Sequence, residues 1–226
     1  MTFRFPTSQE RLTITGRTGS GKTVCAAYFL CNANFHEQPW TIIDFKGDDL
    51  LSAIDRAVPI SVYDKPPRKP GLYYLHPAPH QSDALENWLW KIWARGQHGL
   101  FADEAYMIPD PRRGKDGAFK SILAQGRSKH IPVYSLSQRP VMVNRSVFTE
   151  ANFFASFHLN DKRDRDTITA FTPDDDVWNW ENEVPPFHAR WYEQATHFSC
   201  ILKPVPGVDE ILQRFDDRLK PKKKFL

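Results

Sequence analysis

Cysteine is scarce in this 226-residue chain: Cys25, Cys31 and Cys200 are the only three. They form no metal-ligand pattern, and the intracellular setting expected for the chain keeps them reduced, so they are read as packing residues. Long apolar runs are missing as well. None approaches the roughly 20 residues that a bilayer-spanning helix requires. The opening Met1-Thr-Phe-Arg-Phe-Pro lacks the apolar centre of a secretion signal. No transmembrane segment and no signal peptide are expected, and the protein is read as soluble. No internal repeat is visible. A one-sided charge is lacking too: the net +3 depends on Arg218, Lys220, Lys222, Lys223 and Lys224, without which residues 1–217 carry a formal −2. The body is therefore not basic, and nucleic-acid contact is expected from local basic loops or from the tail.

With 41% hydrophobic and 25% charged residues the composition is that of an ordinary globular chain, which excludes a mostly disordered one. The length suits one α/β domain. The expected division is a single domain over 1–217 and a basic tail over 218–226.

The chain alternates strand and helix patterns. Residues 11–15 are β-prone, 16–21 are punctuated by glycine, and 22–31 form an apolar helix candidate. Strands are expected at 40–45, 60–63, 72–75, 100–102, 131–136 and 153–159, and helices at 48–57, 82–95 and 118–129. Ser82 is the expected cap of the second of these helices and Gly96 its stop. Two further strands at 187–193 and 198–202 and a helix at 208–219 close the chain. This order predicts an α/β fold with a mostly parallel central sheet flanked by helices, ending in a small C-terminal β-hairpin and helix.

The chemistry concentrates in Gly16-Arg17-Thr18-Gly19-Ser20-Gly21-Lys22-Thr23, which matches G-x-x-x-x-G-K-[ST] between a strand and a helix. Four such positions match by chance in roughly one chain in a hundred of this size. The glycines let successive N–H groups face a phosphate, and the helix N-terminus adds its positive dipole end. Lys22 is placed to bridge β- and γ-phosphate oxygens, and the Thr23 hydroxyl to ligate Mg2+. ATP and Mg2+ are the expected ligands. A P-loop needs an acid at the end of a neighbouring strand. Leu100-Phe-Ala-Asp103-Glu104 supplies Asp103 for the magnesium shell and Glu104 to polarise the attacking water. Gly96 and Gly99 interrupt what precedes that strand. Asp44 is the competing acid and is assigned a supporting role at the sheet edge.

The segment Ser137-Gln138-Arg139-Pro140 after the strand at 131–136 resembles the polar sensor of the FtsK/HerA superfamily of DNA-pumping ATPases. Gly126-Arg127, eleven residues before Gln138, and Asp44-Phe-Lys46-Gly47 resemble further superfamily features. The resemblance covers roughly residues 11–160. It implies the additional-strand, RecA-like P-loop fold, with the sensor strand between the two nucleotide-binding strands. It also implies that Gln138 reads the γ-phosphate, and that Arg127 is an arginine finger reaching a neighbouring subunit, with Arg139 as a second candidate.

The chain's short length, with no large accessory domain, is most similar to the genome-packaging ATPases of tailless icosahedral viruses with double-jelly-roll capsids. That implies a homo-oligomeric ring, hexameric, which drives double-stranded DNA into a preformed capsid. It further implies residence in the host cytoplasm and at the virion packaging vertex, anchored by capsid vertex or internal-membrane proteins. Arg112, Arg113 and Lys115, with the lysines from Lys220 to Lys224, are the DNA-contact candidates. Two other readings remain open. One is an ATPase energising virion or protein export, like the zonular occludens toxin-like assembly proteins of filamentous phages. The other is a P-loop phosphotransferase with Arg112 and Arg113 as a lid.

Other conspicuous residues have plainer readings. His76, His80 and His98 are expected to be surface or capping histidines. Trp178, Trp180 and Trp191 are assigned to core or interface packing, and the alternating charges from Asp161 to Asp166 to a solvated helix start.

Overall fold

The computed structural model describes residues 3–109 and 117–220. Its centre is a nine-stranded sheet in the order β3-β4-β2-β5-β6-β1-β7-β8-β9. The strands are β1 (Arg11–Thr15), β2 (Pro39–Asp44), β3 (Val58–Ile60), β4 (Gly71–Leu75), β5 (Gly99–Asp103), β6 (Val133–Ser137), β7 (Phe153–Ser156), β8 (Ala189–Glu193) and β9 (Phe198–Leu202). The seven from β3 to β7 in sheet order run parallel, and β8 and β9 add an antiparallel hairpin at one edge. β6 pairs with β1 on one side and β5 on the other, so the sensor strand separates the two strands that end in the phosphate loop and the acidic pair. That is the additional-strand arrangement.

The helices are α1 (Lys22–Cys31), α2 (Asp49–Ser52), α3 (Ser82–Arg95), α4 (Ala118–Gln125), α5 (Ser146–Thr149), α6 (Lys162–Thr169) and α7 (Val208–Leu219). They cover both faces and divide the apolar interior in two. One core gathers α1, α2 and α7 around Trp40, Phe153 and Trp191. The other gathers α3, α4, α5 and α6 around Trp88, Phe101 being left on the first face. Such two-sided burial explains why β1, β2, β5 and β6 are buried at every position. In the first core Phe29 stacks on Trp191 with ring centroids 5.3 Å apart. α7 is fastened to the end of α1 by Arg218, whose guanidinium donates to the carbonyls of Cys31 and Ala33. Arg218 is thus committed to the fold rather than to a solvated tail.

Several elements differ from the pattern-based expectation. The helix expected over 48–57 is only α2, capped by the Asp48 carboxylate, which accepts from the N–H groups of Leu50 and Leu51. Val58 is followed by Pro59, which disfavours helix before it. The strand expected at 60–63 lies at β3 because Ser61 and Asp64 close a turn. α4 ends at Gln125 rather than near 129. Ser82 lies inside α3, whose cap position is Gln81 after a 3-10 turn over Pro79–Gln81. β5 is longer than the apolar run because Gly99 starts it: a Cβ there would come within 2.0 Å of the Trp40 ring, so only glycine fits beneath the indole. β2 lies inside the sheet, so Asp44 is fully buried and not an edge residue. His98 is also fully buried, and Asp164 is 2% exposed and accepts from the Val141 N–H. The surface reading of His98 does not hold, whereas the run Asp161–Asp166 does start a helix, α6, and is exposed at Asp161, Lys162, Arg163 and Asp166, with Asp164 its buried member. Among the described residues no helix is long and apolar enough to cross a membrane.

Candidate active site

β1 delivers the chain into the loop at the strand-exit end of the sheet. There the Gly16 N–H donates to the Ser137 carbonyl (3.2 Å) and the Arg17 N–H to the His158 carbonyl (3.0 Å), which fixes the loop between β6 and β7. Gly19 and Gly21 hold φ of 73° and 93°, backbone that an L side chain rarely adopts. Ser20 N–H turns back onto Arg17. The N–H groups of Thr18, Gly19, Gly21, Lys22 and Thr23 find no acceptor among the described residues. They form a concave row of donors at the N-terminus of α1, an anion cradle built from main chain.

The acidic pair stands across β6 from this cradle. Glu104 is fully buried and adopts a left-handed backbone (φ 58°), which tips its side chain out of strand alternation toward the loop. Its Oε1 accepts from Lys46 Nζ at 2.6 Å and lies 3.6 Å from Lys22 Nζ, while its Oε2 accepts from the Gln138 N–H at 3.2 Å. Gln138 Oε1 accepts from the Thr18 hydroxyl at 2.8 Å. Four segments distant in sequence therefore meet here: the cradle, the Asp44–Asp48 turn, the end of β5 and the end of β6. Burial pushes the Lys22 ammonium below its ordinary range, against the pull of Glu104 and Asp103.

Asp103 is 2% exposed, and its Oδ1 is a buried oxygen with no partner among the described residues. Burial first, then the Glu104 charge, pushes its carboxyl up to about 7, with Lys22 acting in the opposite sense. The Ser20 hydroxyl in the cradle is likewise buried without a partner. An orphaned carboxylate oxygen near an ammonium and a row of free donors fits a hard cation with its phosphate ligands.

The turn after β2 contributes a residue that sequence reasoning missed. The Asp44 carboxylate accepts from the N–H groups of Lys46 and Gly47 (both 2.9 Å) and Asp48 (2.7 Å), and from the Tyr74 hydroxyl (2.8 Å). His76 Nδ1 contacts the Asp44 carbonyl at 2.7 Å. Asp44 thus holds the turn that presents Lys46 to Glu104. The Asp-x-Lys-Gly pattern was visible in the sequence; the contact across 58 positions to Glu104 was not.

The remaining candidates lie elsewhere. Arg127 is exposed in the turn between α4 and β6, at the strand-entry end of the sheet, opposite the cradle. A Cβ at Gly126 would come within 2.3 Å of the Ile122 carbonyl, so the glycine of the Gly-Arg pair is required for close packing. Arg139 is occupied within the chain, 3.3 Å from Asp164 and 3.6 Å from Asp161. Trp178 and Trp191 are core residues. Arg112, Arg113, Lys115 and the lysines at 222–224 lie outside the described residues, and Lys220 pairs with Asp217 at 2.7 Å.

No family model matches the chain. It is 41% identical over 223 residues to the DNA packaging ATPase P9 of Enterobacteria phage PRD1, covering 96% of each. Among solved structures it is similar to the genome packaging NTPase B204 of Sulfolobus turreted icosahedral virus 2. The sulfate complex aligns with TM-score 0.72 at 17% identity, over 89% of this chain and 99% of that one. The AMPPCP complex aligns with TM-score 0.70 at 15% identity, over 88% and 100%. ATPases 2 and 3 of EssC from Geobacillus thermodenitrificans share the fold at TM-score 0.62 and 14% identity, over 94% of this chain and 44% of theirs. The chain belongs to the family of the phage packaging ATPase P9, the FtsK/HerA-type viral genome-packaging ATPases.

Proposed function

We propose that this protein is an ATP-driven motor that translocates double-stranded DNA into a preformed capsid, working as a homo-oligomeric, hexameric ring anchored at the packaging vertex of the virion. The observation that carries the reading is the buried Glu104 carboxylate lying between Lys22 of the phosphate cradle and the main chain of Gln138. Membership in the packaging family supplies the DNA substrate.

In this reading the N–H groups of Thr18, Gly19, Gly21, Lys22 and Thr23 and the Lys22 ammonium bind the β- and γ-phosphates. The Thr23 hydroxyl and Asp103 carboxylate would hold Mg2+, which when bound would neutralise charge on the phosphate oxygens. Glu104 accepts the proton of the attacking water. Both its oxygens are engaged, one by Lys46 and one by Gln138 N–H. A γ-phosphate drawing on Lys22 and on Gln138 would rearrange these contacts and free an oxygen for water. Gln138 reports phosphate occupancy through Thr18, a residue of the cradle itself. Arg127 acts on the nucleotide of the neighbouring subunit. DNA is gripped through phosphates by Arg112, Arg113 and Lys115 and by the C-terminal lysines, without base readout.

The test is steady-state ATP hydrolysis by the purified chain over a range of protein concentrations, with and without long double-stranded DNA, beside Glu104→Gln. Turnover is expected to rise with both variables and to be lost in the variant while ATP binding persists. Turnover indifferent to DNA at every concentration would count against the motor. Equal rates in the two proteins would remove Glu104 from the chemistry.

A further inference from the structure

Beyond Met1 the chain has two methionines, Met107 and Met142, and both are exposed, at 37% and 60%. Each closes a turn that follows a residue of the site. Glu104 leads at once into a 3-10 turn over Ala105–Met107, and Gln138 leads into a second over Pro140–Met142. Ile108 and Val143, the next residues of the two turns, are buried and anchor them, while Met107, Met142 and the 45% exposed Val141 stay outside. The turns adjoin: Tyr106 and Ile108 of the first and Met142 of the second line one small pocket of about 60 Å³. An apolar patch thus stands on the strand-exit end, beside the phosphate cradle.

Three properties of this patch bear on what covers it. Neither Ala105-Tyr-Met-Ile108 nor Pro140-Val-Met-Val143 carries a charge, so a polyanion finds nothing on either turn to pair with its phosphates. Methionine instead suits an apolar protein surface, to which its unbranched thioether adapts. The location narrows the partner further. Arg127 lies at the strand-entry end, so a copy that brings its Arg127 to this subunit's γ-phosphate must lay its entry end over this exit end. The patch lies in the path of that approach. The main chain then ties the patch to the chemistry: the Met107 N–H donates to the Glu104 carbonyl at 2.8 Å, and the Met142 N–H to the carbonyl of Arg139, next to Gln138, at 2.9 Å.

We infer that Met107, Val141 and Met142 form the apolar contact on which the next copy of this chain seats, the surface that receives the neighbour carrying Arg127. The inference rests on the ring reading above and names its receiving face. Covering the patch and delivering Arg127 are then one event, and the seated copy presses on turns that are one hydrogen bond from Glu104 and two residues from Arg139 and Gln138. A carboxylate placed on the patch would be buried unpaired in the contact and would oppose assembly without touching the phosphate cradle.

Two measurements on the full chain, in Mg2+-AMPPCP and without DNA, test this. In sedimentation over a range of protein concentrations, wild type is expected to associate. Met142→Asp should need at least about tenfold more protein to do so, and Met142→Leu should behave as wild type, while both variants bind AMPPCP normally at dilution. In the second measurement wild type is treated with peroxide, and methionine sulfoxide is read by mass spectrometry. Met107 and Met142 should oxidise readily in the dilute subunit and at least about tenfold more slowly once it assembles. Unshifted assembly of Met142→Asp, or equal oxidation in the two states, would overturn the inference. Protection that appears only when double-stranded DNA is added would overturn it too, because the patch would then face DNA. A wild type that stays monomeric at every concentration would overturn the ring itself, and the receiving face with it.

Discussion

Glu104 is a buried carboxylate whose nearest cation, Lys46, is 38% exposed, so the pair is neither a surface ion pair nor a fully desolvated one. Surface pairs contribute up to about 1 kcal/mol, whereas removing one partner of a buried pair costs about 3–5 kcal/mol. An intermediate coupling of about 1–2 kcal/mol is expected here. A cycle of Lys46→Met, Glu104→Gln and the double variant, measured by urea unfolding without nucleotide, reads it directly. Additive losses would show that the 2.6 Å contact contributes nothing to the resting protein. The phosphate loop and the acidic pair were legible because each is contiguous in sequence and the surrounding strand and helix are strongly patterned. Lys46 was legible only as part of a turn motif. Its role depends on β2 and β5 being neighbours with Asp44 beside Asp103, a register that no local pattern encodes. The strand expected at 187–193 starts only at Ala189 because Phe187 holds a left-handed backbone, φ 61°, which an apolar pattern does not reveal.

At the scale of elements, the junction of α3 and β5 carries a consequence for acid stability. Arg95 holds the proline-rich loop in place by donating to the carbonyls of Pro66 (2.9 Å) and Pro67 (2.8 Å), and it also donates to His98 Nδ1 at 2.8 Å. Arginine only donates, so Nδ1 accepts, and the proton of the neutral ring sits on Nε2, which donates to the Thr41 hydroxyl at 2.9 Å. Burial, with the Arg95 charge beside it, pushes His98 down to about 3. The folded-state value thus lies below the unfolded one near 6.5. Below that pH the unfolded chain takes up a proton that the folded chain refuses, and stability falls as pH falls toward 3. At about 1.4 kcal/mol per unit, His98 alone removes about 2 kcal/mol between pH 6.5 and pH 5. His98→Gln, which cannot titrate, should flatten the decline in unfolding free energy over that interval by about one proton. An unchanged slope would mean that the folded protein admits the charge. The sequence placed both α3 and β5, but histidine among glycines and prolines read as surface. The burial follows from Trp88 and the β2 strand closing over it.

For the whole molecule, the strand-exit end holds the cradle, Asp103, Glu104 and Gln138, and the strand-entry end holds Arg127. The five-residue length of β1 lies between them, so Arg127 cannot serve the nucleotide of its own subunit without dismantling β6. An exposed arginine set on a close-packed Gly126 turn, at the opposite end of the sheet from its own site, suits a head-to-tail contact, in which one subunit's entry end meets the next subunit's exit end. Such heterologous contacts close into rings. A single subunit would then lack a complete site, and hydrolysis would follow assembly. Arg127→Ala is expected to bind ATP normally and to lose assembly-dependent turnover by at least about 10³-fold, the lower range for an arginine finger. Mixing distinguishes action across the interface from action within a subunit. Glu104→Gln keeps Arg127 and lacks the water-activating carboxylate, whereas Arg127→Ala keeps the carboxylate and lacks the finger. In mixed rings some sites pair an intact Glu104 with an intact Arg127 from the neighbour, so two inactive proteins should together regain turnover, greatest near equal proportions. If Arg127 acted within its own subunit, no mixture would contain a complete site, and activity would stay at the level of the separate variants at every ratio.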